Sequence, residues 1–160
     1  MQMKLKLSVA AALAAIAGMA SAQDVQVVKI GHVAPVSGAQ AHYGKDNENG
    51  ARLAVEEANK EGLTIDGKKI KLELVGEDDA GDPKTGTAVA QKLVDEHVVA
   101  VVGHLNSGVS IDTAPIYAAK NIAQLAISTN PKYTQLNLPT TFRLVANDTL
   151  QAKAIGSFAA

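Results

Sequence analysis

The chain has 160 residues, a formal charge of -1 at pH 7, 47% hydrophobic and 19% charged residues, and no cysteine. That balance belongs to a chain that buries a core rather than to a disordered one, and it excludes disulfides as a source of stability. The 15 basic residues are scattered, and only two Phe, three Tyr and no Trp are present, so neither a nucleic-acid face nor a stacking platform for bases is encoded.

Lys4 and Lys6 precede a short apolar stretch, Leu7 to Ala17, and Ala20-Ser21-Ala22 supplies a small-residue cleavage site. This is the pattern of an export signal over residues 1–22, cleaved after Ala22. The apolar stretch falls well below the ~20 residues that span a bilayer, and no cysteine stands near the cleavage site to carry a lipid. The mature chain is expected to begin at Gln23, with 13 basic against 16 acidic residues, in a soluble compartment such as a periplasm.

Val25 to Val33 alternates loosely and reads as the first strand, followed by a loop punctuated by Pro35, Ser37 and Gly38 that runs to about Gly44. Asp46 to Asn59 reads as a helix, with Ala51, Leu53, Ala54, Val55 and Ala58 at helical spacing and Gly62 as its C-cap. Asp66-Gly67 is a tight-turn dipeptide, and Lys69 to Val75 alternates as a second strand. Glu77 to Asp82 is read as an acidic loop feeding a helix capped by Asp82, with Pro83 at its first position and Ala88, Val89, Leu93 and Val94 facing inward.

Val98 to Val102 contains four β-branched residues and reads as a short, fully buried strand; Gly103 ends it, and a helix follows from Ser107 to about Ala119. Ile122 to Ile127 is a fourth strand, Asn130 to Thr140 a turn-rich loop, Thr141 to Val145 a short extended segment, and Asp148 to Ala160 a helix with no terminating signal. That open end points to the front part of a longer protein. Helical connections between strands predict the α/β class, a parallel sheet flanked by helices on both faces.

The candidate chemistry divides as follows. Glu77, Asp78 and Asp79 have no His or further carboxylate at ligand spacing, so a solvated loop is expected and no metal. Gly31 to Gly38 lacks both the dinucleotide and the Walker patterns, so no nucleotide cofactor is implied. His104 stands three residues before Ser107, the spacing of a hydrolase base and nucleophile, but no G-x-S-x-G elbow and no orienting Asp is evident; loop hydrogen bonds are the plainer reading. Ser107 opens a helix after one strand, and Ser128 and Thr129 follow the next. Parallel neighbours bring these hydroxyls to one edge, either as a carboxylate receptor or as ordinary cap and turn residues.

Pro35-Val36-Ser37-Gly38, Tyr43-Gly44, Asn49-Gly50-Ala51, Asp78-Asp79-Ala80-Gly81-Asp82-Pro83, Gly103-His104-Leu105-Asn106-Ser107 and Thr129-Asn130-Pro131 stand in order. As an ordered set over residues 24–160 they resemble the periplasmic leucine/isoleucine/valine-binding proteins of branched-chain amino acid ABC transporters. The resemblance implies a type I periplasmic-binding-protein fold, two α/β lobes closing on a ligand. Residues 23–143 would then be the first segment of the N-terminal lobe, and 144–160 the first crossover and the start of the second lobe. It implies that Ser107 binds the ligand's α-carboxylate, beside Leu105 and Asn106 in the same loop. Thr129 with Ser128 and Ile127 would come from the next loop, and Tyr43 would border the side-chain pocket. Some members carry a disulfide at the positions that match Gly81 and Asn106.

The expected function is therefore solute binding for an ABC permease, with an amino acid or related amide or carboxylate as ligand, no cofactor and no covalent chemistry. The alternatives are an exported serine hydrolase using Ser107 and His104, and a ligand-sensing receptor domain of the same fold. The ammonium of an amino acid needs an acidic or carbonyl partner, and none is evident in these loops, which assigns that partner to the second lobe.

Overall fold

A computed structural model describes residues 25–159; the expected export signal and its cleavage point lie outside them. In chain order the elements are β1 (Val25–Ala34), a 3-10 turn (Gly38–Gln40), α1 (Ala41–Glu61), β2 (Leu63–Ile65), β3 (Lys68–Asp78), α2 (Pro83–Asp95) and β4 (Ala100–Gly103). Then come α3 (Ser107–Ala118), β5 (Ala123–Ala126), a 3-10 segment (Pro131–Leu136), β6 (Thr141–Arg143) and α4 (Asp148–Ala159). The strands form one sheet in the order β2-β3-β1-β4-β5-β6. All neighbours are parallel except β2, which runs antiparallel to β3. The α/β sheet expected from the helical connections is thus present, with two short edge strands added.

Direction of travel decides the layers. From β1 the chain moves one way to β3, then returns past β1 to β4 and on to β5. Right-handed crossovers therefore put α1 on one face and α2 with α3 on the other. The main core lies under α2 and α3, where Val33, Leu93, Val94, Val98, Val101, Tyr117 and Ile122 pack together. Ala114, Ala126 and Tyr133 form a smaller cluster beneath the Pro131–Leu136 segment.

Three boundaries differ from the sequence expectation. α1 begins at Ala41, not Asp46. Gly44 does not end a loop; it is the point where the helix rests on the chain after β1, because a Cβ there would stand 2.0 Å from the Pro35 carbonyl oxygen. β2 was not expected, but the Asp66-Gly67 turn was. Both residues have positive φ (50° and 78°), the geometry of a two-residue hairpin, and Leu63–Ile65 pairs with Lys68–Ile70 across it.

The third difference is in β4 and β5, which start later than their apolar runs. Val98 N–H reaches back to the Leu93 carbonyl and His97, with φ 61°, turns the chain after α2. Ile122 N–H bonds Tyr117 O after Asn121, with φ 55°, in the same way. Each run thus spends its first residue closing a helix by a Schellman bond before it joins the ladder, while the apolar side chain still packs into the core.

His32, on β1, is fully buried, and both ring nitrogens lack a hydrogen-bond partner. Burial pushes its pKa down, and the opposing pull of Glu48, Asn47 and Asp79 does not restore it. The unfolded chain, whose histidine titrates near ~6.5, therefore takes up the proton first. Stability is complete above that pH and is lost as pH falls through it, by at most about 1.4 kcal/mol per pH unit for one proton. A His32→Leu variant should show a flatter dependence of melting temperature on pH between 7 and 5. An unchanged slope would remove His32 as its source.

Candidate functional site

Parallel strands deliver their carboxyl ends to one edge. There the loops after β1, β3, β4 and β5 meet. β1 and β4 are neighbours whose exits lead to opposite faces, so the crevice between those exits is the switch point at which open α/β sheets take ligands.

The loop after β4 is anchored from below. Gly103 has φ 139°, and a Cβ on it would stand 2.2 Å from the Val33 carbonyl oxygen, so β4 and β1 approach more closely here than any side chain permits. His104 follows and is wholly buried. Its Nδ1 lies 2.7 Å from Asp79 Oδ2 and its Nε2 3.1 Å from the Tyr117 hydroxyl. Burial, reinforced by the charge of Asp79, holds the Tyr117 phenol far above its ordinary pKa, so it stays protonated at hydrogen-bond distance from Nε2. The Asp79 carboxylate can only accept, so Nδ1–H is the donor of that bond. The His104 carbonyl accepts from Ser110 Oγ at 3.1 Å.

This geometry corrects two expectations. An Asp does orient the imidazole, namely Asp79, which the sequence placed in a solvated loop. Yet the opposite ring nitrogen faces Tyr117 rather than Ser107, so His104 has no free nitrogen for a nucleophile, and the hydrolase arrangement is not formed.

The acidic segment as a whole is structural. Glu77 and Asp78 complete β3. Glu77 pairs with Lys92 at 2.5 Å. Asp78 accepts from Val36 N–H at 3.0 Å and Ala80 N–H at 2.8 Å, tying the loop after β1 to the end of β3. Partial burial pulls the Asp78 carboxyl up, but hydrogen bonds from Ser37, Ala80 and Val36 outweigh it and hold it below the usual carboxylate range. Asp79 Oδ1 accepts from Gly81 N–H at 2.9 Å. Asp82 caps α2 through Thr85 N–H at 2.7 Å, with Pro83 at the first helical position, as read from the sequence.

Above the anchor, α3 starts at Ser107 with an open end. Asn106 is the N-cap residue, but its side chain makes no capping bond. Its Nδ2 donates instead to Gln40 Oε1 at 2.9 Å, across to the start of α1. The first N–H with an intrahelical partner is that of Ser110, bonded to Asn106 O at 2.9 Å. The N–H groups of Ser107, Gly108 and Val109 thus remain at the positive end of the helix dipole, the setting for an anion. Gly81 and Asn106 lie side by side, since a Cβ built on Gly81 would be 3.3 Å from Asn106 Oδ1.

Ser107 Oγ accepts from Asn130 N–H at 3.3 Å, which joins the β4 and β5 loops. The β5 loop is held in turn by Arg143, whose guanidinium donates to the carbonyls of Ser128 (3.2 Å) and Asn130 (2.8 Å) and to Thr134 Oγ1. Thr129 O accepts from Asp148 N–H at 2.8 Å. Ser128 is fully buried and its Oγ has no partner.

A cleft of about 420 Å³ opens at this edge, lined by Gln40, Tyr43, Asp46, Asn47, Leu105 and Ile127. The volume is that of a small-molecule site. The structure therefore brings together Tyr43, Leu105 and Ile127 from three separate segments, with Ser107 and Thr129 two residues beyond the latter two. Of the residues expected from sequence, Asn106, Ser107, Ser128 and Thr129 are not among the cleft's lining residues. Tyr43 is 58% exposed, with its ring centroid 3.9 Å from that of His42. Gln40, Asp46 and Asn47 were missed because that stretch was read as loop and helix start. At spacings of three and four residues from Tyr43, all lie on one face of the turn entering α1.

A family model of periplasmic binding proteins matches residues 27–160. The chain is 42% identical over 134 residues to Leu/Ile/Val-binding protein homolog 2 of Brucella abortus, covering 83% of this chain and 35% of that protein. Among solved structures, it is similar to an ABC transporter substrate-binding protein from Desulfitobacterium hafniense in complex with Leu. There the TM-score is 0.72 and the identity 32%, over 84% of this chain and 38% of the other. It is also similar to the branched-chain amino acid transporter substrate binding protein LivJ of Streptococcus pneumoniae in complex with isoleucine. That match has a TM-score of 0.70 and 29% identity, over 78% of this chain and 35% of the other. The chain thus spans a little over a third of the length of these relatives.

Proposed function

The chain belongs to the periplasmic binding protein family, and from that premise we propose that it is the ligand-capturing front part of a substrate-binding component of an ABC transporter, which hands a branched-chain or related amino acid to a membrane permease. The observation that carries this reading is the start of α3. Three backbone N–H groups without an intrahelical partner stand at the start of α3, and that helix begins two residues after Leu105, which lines a cleft of amino-acid size. A carboxylate there accepts charge-assisted hydrogen bonds, and apolar contact with Leu105, Ile127 and the Tyr43 ring holds the adjoining carbon atoms. Thr129 precedes Asn130, whose N–H bonds Ser107 Oγ, so the β5 loop is tied to the start of α3 one residue from it. The chemistry is binding alone.

Residues 23–143 act as the first segment of the N-terminal lobe, and 144–160 lead into the second. In support, α4 has no buried residue, and its apolar side chains Leu150, Ile155 and Phe158 are 58%, 69% and 94% exposed. Delivery to a permease places the protein in the periplasm, with the mature chain beginning at Gln23; intact mass of the exported protein checks that start.

The test is a thermal-shift screen of the full-length mature protein against leucine, isoleucine, valine, other amino acids and simple amides. A ligand of the folded state at 100-fold its Kd adds about 2.7 kcal/mol. Ser107→Ala should weaken the ligand so found by about 1.5–3 kcal/mol, the worth of a hydrogen bond to a charged group. Equal affinity in the variant would take Ser107 out of the site. Residues 23–160 alone should bind weakly, and micromolar binding by that segment in calorimetry would contradict the two-lobe reading.

A further inference from the structure

The polar wall of the cleft is not needed to hold a carboxylate or an apolar side chain. Gln40, Tyr43 and Asp46 follow one another at three-residue intervals, with Asn47 four residues after Tyr43, so they form a single stripe along the entry of α1. Within the stripe the partners differ. Gln40 Oε1 is occupied by the Asn106 amide. Asn47 is an uncharged amide. Asp46 alone brings a full charge to the cleft. The ion pairs among the described residues are Arg52–Glu48, Lys92 with Glu77 and Glu96, and His104–Asp79; none involves Asp46. Lys45, next in sequence, points roughly 100° away around the helix.

The sheet edge therefore carries two opposite electrostatic features, one in the cleft lining and one at the helix start beside Leu105. The start of α3 offers N–H groups to an anion, and Asp46 offers a carboxylate to a cation or a hydrogen-bond donor. Leu105, Ile127 and Tyr43 supply the apolar part of the same lining. Such an arrangement matches a zwitterion or an amide lying across the cleft. An apolar group placed against Asp46 would strip water from the carboxylate and return nothing.

We infer that Asp46 is a specificity-determining residue of this lobe, accepting from a nitrogen donor of the ligand. This assigns to the described chain a contact that the sequence placed wholly in the second lobe, and it rests on the proposed solute-binding function. The donor nitrogen has two sources in an amino acid, the α-ammonium and a nitrogen of the side chain.

Calorimetry on the full-length mature protein tests it, with leucine, glutamine, lysine, arginine and acetamide as probes and Asp46→Asn, Asp46→Ala and Asp46→Glu as variants. Asp46 is exposed, so all three variants should melt as the parent does. The expected result is a rise in Kd of at least about tenfold in Asp46→Ala, as for loss of a hydrogen bond to a charged group, with most of the affinity kept in Asp46→Glu. An equal loss for leucine and for the nitrogen-bearing side chains assigns the contact to the α-ammonium. A loss confined to glutamine, lysine, arginine or acetamide assigns it to the side-chain nitrogen. Affinities that change less than twofold for every bound probe, while Ser107→Ala still weakens them, overturn the Asp46 inference and leave the solute-binding reading intact. A parent protein that binds none of the probes, nor any other amino acid, overturns both.

Discussion

An Asp79→Ala protein is expected to be about 3–5 kcal/mol less stable than the parent and to lose ligand affinity as well. The carboxylate is fully buried and serves two donors, His104 Nδ1 at 2.7 Å and Gly81 N–H at 2.9 Å. Truncation leaves an imidazole N–H unpaired in a site that water does not reach. One orphaned buried group costs about 1–3 kcal/mol, and breaking a buried pair on one side typically costs more. The change also frees the loop that carries Leu105 and Ser107, since His104 is its anchor. Tyr117→Phe takes one hydroxyl from the other end of the chain of bonds and keeps the ring in the core. It should cost about 1–2 kcal/mol. In the double variant the two losses should not add, because both act through the same imidazole. Chemical denaturation of the three variants measures this directly. Simple additivity would mean that the three side chains do not act as one unit.

The comparison between Asp79 and its neighbours explains much of what could and could not be read in advance. Glu77, Asp78 and Asp79 look alike in sequence, and as a run of acids at the end of a strand they suggest solvent. Alternation turns Asp78 away from the face of Glu77, and Asp79 lies just past the end of β3. Glu77 meets Lys92 on α2, Asp78 meets the loop after β1, and Asp79 turns under the sheet edge to His104. No local signal distinguishes the three, because the partner of each lies on another segment. Where partner and signal are adjacent in sequence, local chemistry suffices. Asp82-Pro83 caps α2, Gly62 N–H closes α1 on Ala58 O, and Asp66-Gly67 turns a hairpin. β2 escaped notice because it has three residues, all exposed, with no buried face to betray it.

The cleft follows the same rule. Parallel pairing could be inferred from the lengths of the connections, and it sends the loops carrying Leu105 and Ile127 to one edge whatever their sequences. Tyr43 was reached through the family resemblance. Asp46 depended on the phase of α1, and that phase was set by a contact between Gly44 and Pro35 that no helix propensity encodes. Arg143, which clamps the β5 loop, gives no sign of its role within its own short strand.

Gly44→Ala should therefore cost about 3 kcal/mol or more, although alanine is ordinarily the better helix former by about 1 kcal/mol. The added Cβ would stand 2.0 Å from the Pro35 oxygen and 2.5 Å from its carbonyl carbon, both backbone atoms that cannot rotate aside. Relief requires α1 to lift from the chain after β1. That chain is itself pinned, since Val36 N–H is bonded to Asp78 and Pro35 is buried. Lifting the helix also moves Gln40, Tyr43 and Asp46, so the stability loss should be accompanied by weaker ligand binding even though Gly44 touches no ligand. Gly50→Ala, two turns further along the same helix, is the matched control. Nothing lies within 4 Å of its Cβ position, so there the propensity term stands alone and the protein should gain about 0.5–1 kcal/mol. Denaturant titrations of the two variants separate packing from propensity within a single helix. A Gly44→Ala protein as stable as Gly50→Ala would mean that α1 does not rest on Pro35, and that the phase placing Asp46 in the cleft has some other origin.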